Sequence, residues 1–241
     1  MAFKDVLDAA SGGDSHAQNA IGYIYFEGNG VEKNLDKAFI WFDLSARQGD
    51  AEGQCNLGFM LTHGYGANIN FEEAFDLYKK SAEQGYVRAQ FNLAHAYSDG
   101  IGTKQNWEEA LKWYTVASDN GSILACYRLG VMKEEGRGIP KDEKEAAVYY
   151  EKCFKEGYDK AGYRLGRMFL EGRGVNKDIK RASVYFIKSA ENGSVESMCQ
   201  LGKMSLSGEG MVKSRINAIK WLKKASARGS EEAKEILAAI R

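Results

Sequence analysis

The residues of this 241-residue chain that could do chemistry are three histidines, four cysteines and six glycine-x-glycine runs. His16, His63 and His95 could serve as general bases or ligands. His63 and His95, however, occupy unrelated places in the pattern described below, and no motif pairs them with a carboxylate. They read as surface or groove polar residues. The acidic residues are scattered, mostly as helix caps and helix-surface charges, so they nominate no acid–base pair. Cys55, Cys126, Cys153 and Cys199 form no C-x-x-C and no Cys/His pairing, so neither a zinc site nor any other metal site is expected. The runs from Gly28-Asn29-Gly30 to Gly208-Glu209-Gly210 lack the third glycine of a dinucleotide fingerprint and follow no βαβ pattern. The chain therefore reads as non-enzymatic and free of cofactors.

The elements that would position these residues repeat. An apolar anchor returns every 36 residues at Ile21, Leu57, Leu93, Leu129, Leu165, Leu201 and Leu237. A fixed period of about 20–50 residues marks a solenoid, in which each unit contacts only its neighbours. Six repeats cover 14–49, 50–85, 86–121, 122–157, 158–193 and 194–229. Residues 1–13 match a second half-repeat, with Ala2 in the register of Ala38, and 230–241 restart a first helix. Both read as caps within one domain, 1–241. In the first helix a small residue such as Ala89 precedes the anchor by one turn, and glycine usually follows it. Glycine costs about 1 kcal/mol in a helix relative to alanine, so its recurrence predicts a backbone passing too close for a side chain. After the glycine loop stand Asn34, Asn70, Asn106, Asp142, Asp178 and Ser214, all N-cap types. Glu73, Glu109 and Glu145 follow three later and would complete capping boxes. Second helices carry an alanine and aromatic pairs such as Trp113-Tyr114, read as core, and end at glycines from Gly49 to Gly229.

Lys and Arg number 33 and Asp and Glu 33, which suggests no bulk binder of nucleic acid or membrane. The opening MAFKDVLDAASGG has no apolar run, and no stretch approaches the roughly 18 apolar residues of a membrane span. A cytoplasmic, monomeric protein is expected. Cys55 and Cys199 stand four repeats apart and could not meet, since a disulfide needs Cα atoms within about 7 Å. Cys126 and Cys153 fall on the two helices of one repeat, where they could be near. Buried reduced thiols are the favoured reading.

AQFNLAHAYSDGIGTKQNWEEALKWYTVAS and AIGYIYFEGNGVEKNLDKAFIWFDLSA resemble the Sel-one-like repeat (SLR), a relative of the tetratricopeptide repeat, and the match runs through the whole chain. The resemblance implies an all-α fold: a right-handed α/α superhelical solenoid of helix–turn–helix repeats, of a kind that mostly serves as an adaptor holding other proteins. Secreted, cysteine-rich relatives are linked to penicillin binding. This chain lacks their cysteine pairs and any S-x-x-K, so that hydrolase reading is disfavoured. Ala94 in place of glycine, Lys133 and Ser205 in place of tyrosine, and Phe154 at a small position depart from the pattern. They suggest less regular packing in repeats four and six.

By resemblance to tetratricopeptide proteins, the first helices line a concave groove. Positions around each anchor then place Asn56, Arg88, Phe91, Asn92, His95, Tyr127, Arg128, Tyr163, Arg164 and Arg167 on the inner face. Arginine beside tyrosine suits carboxylates and extended peptides, and asparagine can bond both groups of a peptide backbone. Arg128 and Arg164 fall at no packing register. The competing reading is internal: asparagines bridging adjacent repeats, and arginines pairing with Glu134, Glu135 or Glu171. The functional expectation is a scaffold that holds a partner segment, one candidate being an acidic or carboxylate-bearing one, in the groove. The alternative is an immunity or inhibitor protein that grips one toxin or enzyme.

Overall fold

The computed structural model describes residues 3–240, so Ala2, with its expected match to Ala38, lies outside the described residues, as do Met1 and Arg241. The described residues form helices joined by turns, with no strand among them, as an all-α solenoid. They divide into two compact units, Met1–Ala125 and Cys126–Arg241. The first holds α1 (Phe3–Ser11), α2 (Ser15–Glu27), α3 (Leu35–Arg47), α4 (Ala51–His63), α5 (Phe71–Glu83), α6 (Val87–Asp99) and α7 (Trp107–Asp119), each packed on the next. Helix α8 (Ile123–Glu135) starts before the division and runs into the second unit. There follow α9 (Glu143–Lys155), α10 (Asp159–Glu171), α11 (Ile179–Glu191), α12 (Val195–Ser207), α13 (Arg215–Ala227) and α14 (Glu231–Ala239), again each on the next. None of these helices is long and apolar enough to cross a membrane.

The helix starts follow from their caps. Asn34, Asn70, Asn106, Asp142, Asp178 and Ser214 each accept a bond from the backbone N–H three residues on, satisfying one of the four free donors of the second helix. The expected capping boxes do not form. In every repeat the cap's own N–H is already spent on a carbonyl nine residues back, as in Asn70 N to Leu61 O at 3.1 Å and Asp142 N to Lys133 O at 2.8 Å. The glutamates turn elsewhere: Glu73 accepts from the Asn70 side chain, Glu109 pairs with Lys112, and Glu145 pairs with Lys133. Gly121 ends the second helix of its repeat at φ +92°, a left-handed conformation that a side chain resists.

The anchors Ile21, Leu57, Leu93, Leu129, Leu165 and Leu201 are all buried, each contributing about 1.5–3 kcal/mol of hydrophobic stabilisation. What excludes a side chain at the following glycine is mainly a ring, not a backbone. A Cβ at Gly22 would sit 2.6 Å from Phe42, and one at Gly130 would sit 2.7 Å from Tyr150. So in four repeats the aromatic residue of the second helix packs on the glycine of its own first helix, at Gly22, Gly58, Gly130 and Gly166, and in the sixth Leu222 takes that place on Gly202.

Repeats four and six keep the same 13-residue helices as the others. The departures from the pattern are compensated locally. The Phe154 ring fills the space left by Gly162, where a Cβ would meet it at 2.6 Å, and packs edge-on to Tyr185. Lys133 finds Glu145 at 2.6 Å, and Ser205 donates to Met211 Sδ.

Candidate functional site

The ten residues expected on an inner face fall into two groups, one in each unit. In the first unit, Asn56 is buried and donates to Asn19 Oδ1 at 2.8 Å. Asn92 donates to Cys55 Sγ at 3.7 Å. Both bonds join residues 37 apart, so the asparagines bridge neighbouring repeats. Burial pushes the Cys55 thiol up to about 12, with Arg88 and Asn92 opposing it, so it stays protonated at neutral pH. Arg88 is exposed, and its guanidinium donates to the Tyr86 hydroxyl. Phe91 packs against Tyr114 and the edge of His95, and His95 Nδ1 stands 3.7 Å from Asp99. Asn92 and His95 open onto a cavity of about 280 Å³ that Phe59, Thr62, His63 and Tyr78 also line. His63 is oriented by Phe59 O at 2.9 Å and stacks on Tyr65. His16 lies elsewhere: it is 87% exposed and meets Asp50 at 2.7 Å, while Asp50 also caps α4 through Gly53 N.

In the second unit the arginines are not equivalent. Arg128 is exposed and stands at no packing register. Arg164 does not share that freedom: its Nε donates to Tyr127 OH at 3.2 Å and its Nη1 to Glu134 Oε2 at 2.8 Å. Glu134 is buried and accepts two further bonds, from Tyr150 OH at 2.6 Å and Arg173 Nη1 at 2.9 Å. Arg173 also reaches Glu171 at 2.6 Å, and Arg167 reaches the other oxygen of Glu171 at 2.9 Å. Burial alone would raise the Glu134 carboxyl. The Tyr150 hydroxyl and the two guanidiniums outweigh it and hold the group below the usual carboxylate range. Burial, with Glu134 beside it, drives Tyr150 far above the ordinary phenol range. Tyr163 lies against Phe186 and borders a smaller cavity, about 190 Å³, together with Cys199, Lys203 and Glu232.

Sequence reasoning proposed Glu134 and Glu171 as partners of the arginines but missed Tyr150 and Arg173. A signal for Tyr150 was present. The buried tyrosine of a second helix meets the residue sixteen before it. Tyr78, Tyr114 and Tyr150 have Thr62, Ser98 and Glu134 there, at 3.1, 3.5 and 2.6 Å between oxygens. Phe42, Phe186 and Leu222 have Phe26, Leu170 and Leu206 at that position. A buried hydroxyl needs a partner and a buried ring without one does not, so the two positions change together.

All four cysteines are buried and none is in a disulfide, and Cys153 and Cys126, across the two helices of one repeat, share a hydrogen bond.

Residues 15–50, 51–86, 87–122, 123–158, 160–194 and 195–230 match the Sel1 repeat. A Sel1 repeat protein from Oxalobacter formigenes superimposes with a TM-score of 0.83 at 35% identity, covering 90% of this chain and 86% of that one. A protective antigen of uropathogenic Escherichia coli with an SLR fold gives a TM-score of 0.87 at 29% identity over 98% of this chain, which spans half the length of that protein. An immunity protein of Pseudomonas aeruginosa is 14% identical with a TM-score of 0.57, covering 91% of this chain and 83% of its own, a likeness of fold alone. No curated protein matches the chain. With six consecutive matches spanning nearly its whole length, the chain belongs to the Sel1 repeat family.

Proposed function

We propose that the chain is a non-enzymatic scaffold that holds a segment of a partner protein on its first-helix faces. Proteins built of Sel1 repeats are typically protein–protein interaction scaffolds. The observation that carries the reading here is the open cavity of the first unit. Asn92, His95 and Phe59 border it, so amide, imidazole and ring are presented together. Such a surface offers flat contact area and backbone-directed hydrogen bonds. An acidic residue of the segment would meet Arg88 where it docks on the first unit, or Arg128 where it docks on the second. Neither arginine stands in an ion pair among the described residues, while Arg164 and Arg167 are held by glutamates. Four buried thiols suit a reducing compartment, the cytoplasm.

The test is capture of the native partner by tagged protein, with Arg88→Ala/His95→Ala for the first unit and Arg128→Ala for the second. All three side chains lie outside the core, so folding should persist by circular dichroism. Capture should fall about tenfold or more for at least one of the two variants, as for an interface arginine worth about 2 kcal/mol. Undiminished capture by both, with loss on Val148→Ala on the opposite helices, overturns the reading.

A further inference from the structure

The neutral total conceals a division. The first unit, Met1–Ala125, holds nine Lys and Arg against 17 Asp and Glu, and the second, Cys126–Arg241, holds 24 against 16, so the two carry formal charges of −8 and +8. The split is written on the second helices. At the second position, α3, α5 and α7 of the first unit have Asp36, Glu72 and Glu108, and α9 and α11 of the second have Lys144 and Lys180, all exposed, while α13 has Ile216 there. A lysine there opposes the helix dipole and an acid there benefits from it, so helix stability does not explain the lysines. One turn on, the shared register holds Ile40, Asp76 and Lys112 in the first unit and Val148, Val184 and Lys220 in the second, with Ile40, Val148 and Val184 exposed by 56, 68 and 49%. A further turn on, the second unit has Lys152 and Lys188. None of Lys144, Lys152, Lys180 and Lys188 enters an ion pair among the described residues, and neither do Asp36, Glu72 and Glu108. By contrast, the inner-face arginines Arg164 and Arg167 are already neutralised.

We propose that copies of this chain associate, the second-helix face of the first unit of one copy docking on the second-helix face of the second unit of another. Charge complementarity fits a second copy better than a polyanion. A polyanion would use only the basic unit, would gain nothing from Val148 and Val184, and would find lysine and valine where base stacking needs exposed rings. A second copy uses both faces: aliphatic side chains meet aliphatic side chains, and lysines meet carboxylates. With zero net charge and an isoelectric point near 6.8, the copies repel one another little at neutral pH.

The test is sedimentation velocity on the full chain, over a range of concentrations, with two charge-reversed variants. One is Lys144→Glu/Lys180→Glu/Lys188→Glu, and the other is Asp36→Lys/Glu72→Lys/Glu108→Lys. Wild type should self-associate, and should do so about tenfold or more weakly as salt rises from about 0.01 to about 0.15 M and the screening length falls from about 30 to about 8 Å. Each variant alone should remain monomeric, since its two faces now carry the same sign. An equimolar mixture of the two should regain association, because each acidic face again finds a basic one. Circular dichroism confirms that both variants fold. A wild type that stays monomeric at low salt overturns the proposal, whether or not it then binds duplex DNA. So does self-association that persists in either variant alone.

Discussion

Replacing Glu134 by glutamine keeps the side chain's size and removes the charge on which three donors converge. The carboxylate is 8% exposed, and Arg164 and Arg173 are 32 and 31% exposed. A hydrogen bond to a charged group is worth about 1.5–3 kcal/mol, so two guanidinium bonds and one phenol bond could lose several kcal/mol. Two effects reduce that loss. The arginines are near enough to water to be partly resolvated, and the glutamine oxygen still accepts from Tyr150. The expected cost is about 2 kcal/mol, which for a chain of this size lowers the melting temperature by about 4–8 °C.

The pH dependence separates this network from a merely well-packed side chain. Glu134 has a carboxyl held below its ordinary value of about 4.3, so its contribution is fully present above that pH and is lost as pH falls through the lower folded value. The difference between wild type and Glu134→Gln should therefore be full at neutral pH and shrink under acid, because glutamine does not titrate. Thermal melts followed by far-ultraviolet circular dichroism at a series of pH values measure it. A variant that melts within a degree of wild type at neutral pH, or a gap that stays constant below about pH 4, would refute the reasoning.

Leu129→Ala removes a buried anchor and leaves a cavity, and should cost about 2–5 kcal/mol in urea unfolding. A cost under 1 kcal/mol would mean that the core closes around it. Phe42→Tyr should destabilise by about 1–3 kcal/mol, because its new hydroxyl would face Phe26 and find no acceptor. Adding Phe26→Thr should recover a large part of that loss in a double-mutant cycle, and simple additivity would contradict the pairing rule.

The fold was legible because its information is local and copied six times. Period, N-caps and terminal glycines each depend on a few neighbouring residues, and all repeats agree. Where the reading failed, the deciding partner lay outside the local motif. Glu73, Glu109 and Glu145 have the spacing of capping boxes, but the N–H they would satisfy is taken by a carbonyl of the preceding helix. The glycine after the anchor was read as the close approach of a backbone, and the spacing could not say that a Phe42 or Tyr150 ring makes it instead. Phe154 looked like a defect until Gly162, eight residues on, supplied the space.

The candidate site was legible as a list of residues but not as a set of charges. Register puts Arg128 and Arg164 one before the anchor and Arg167 two after it, all expected on one surface, yet each charge depends on the glutamates within a few ångströms. Arg164 and Arg167 answer to Glu134 and Glu171, and Arg128 to neither. A cation already bonded to a carboxylate must exchange that bond before it can take another, so it adds little to the binding of an acidic segment. The same reasoning applies to the lysines of α9 and α11. Lys144, Lys152, Lys180 and Lys188 lie outside every ion pair among the described residues, so a docking carboxylate would find them unneutralised. Local neutralisation, which the sequence total of zero cannot express, is what separates a structural arginine from a lysine available to a partner.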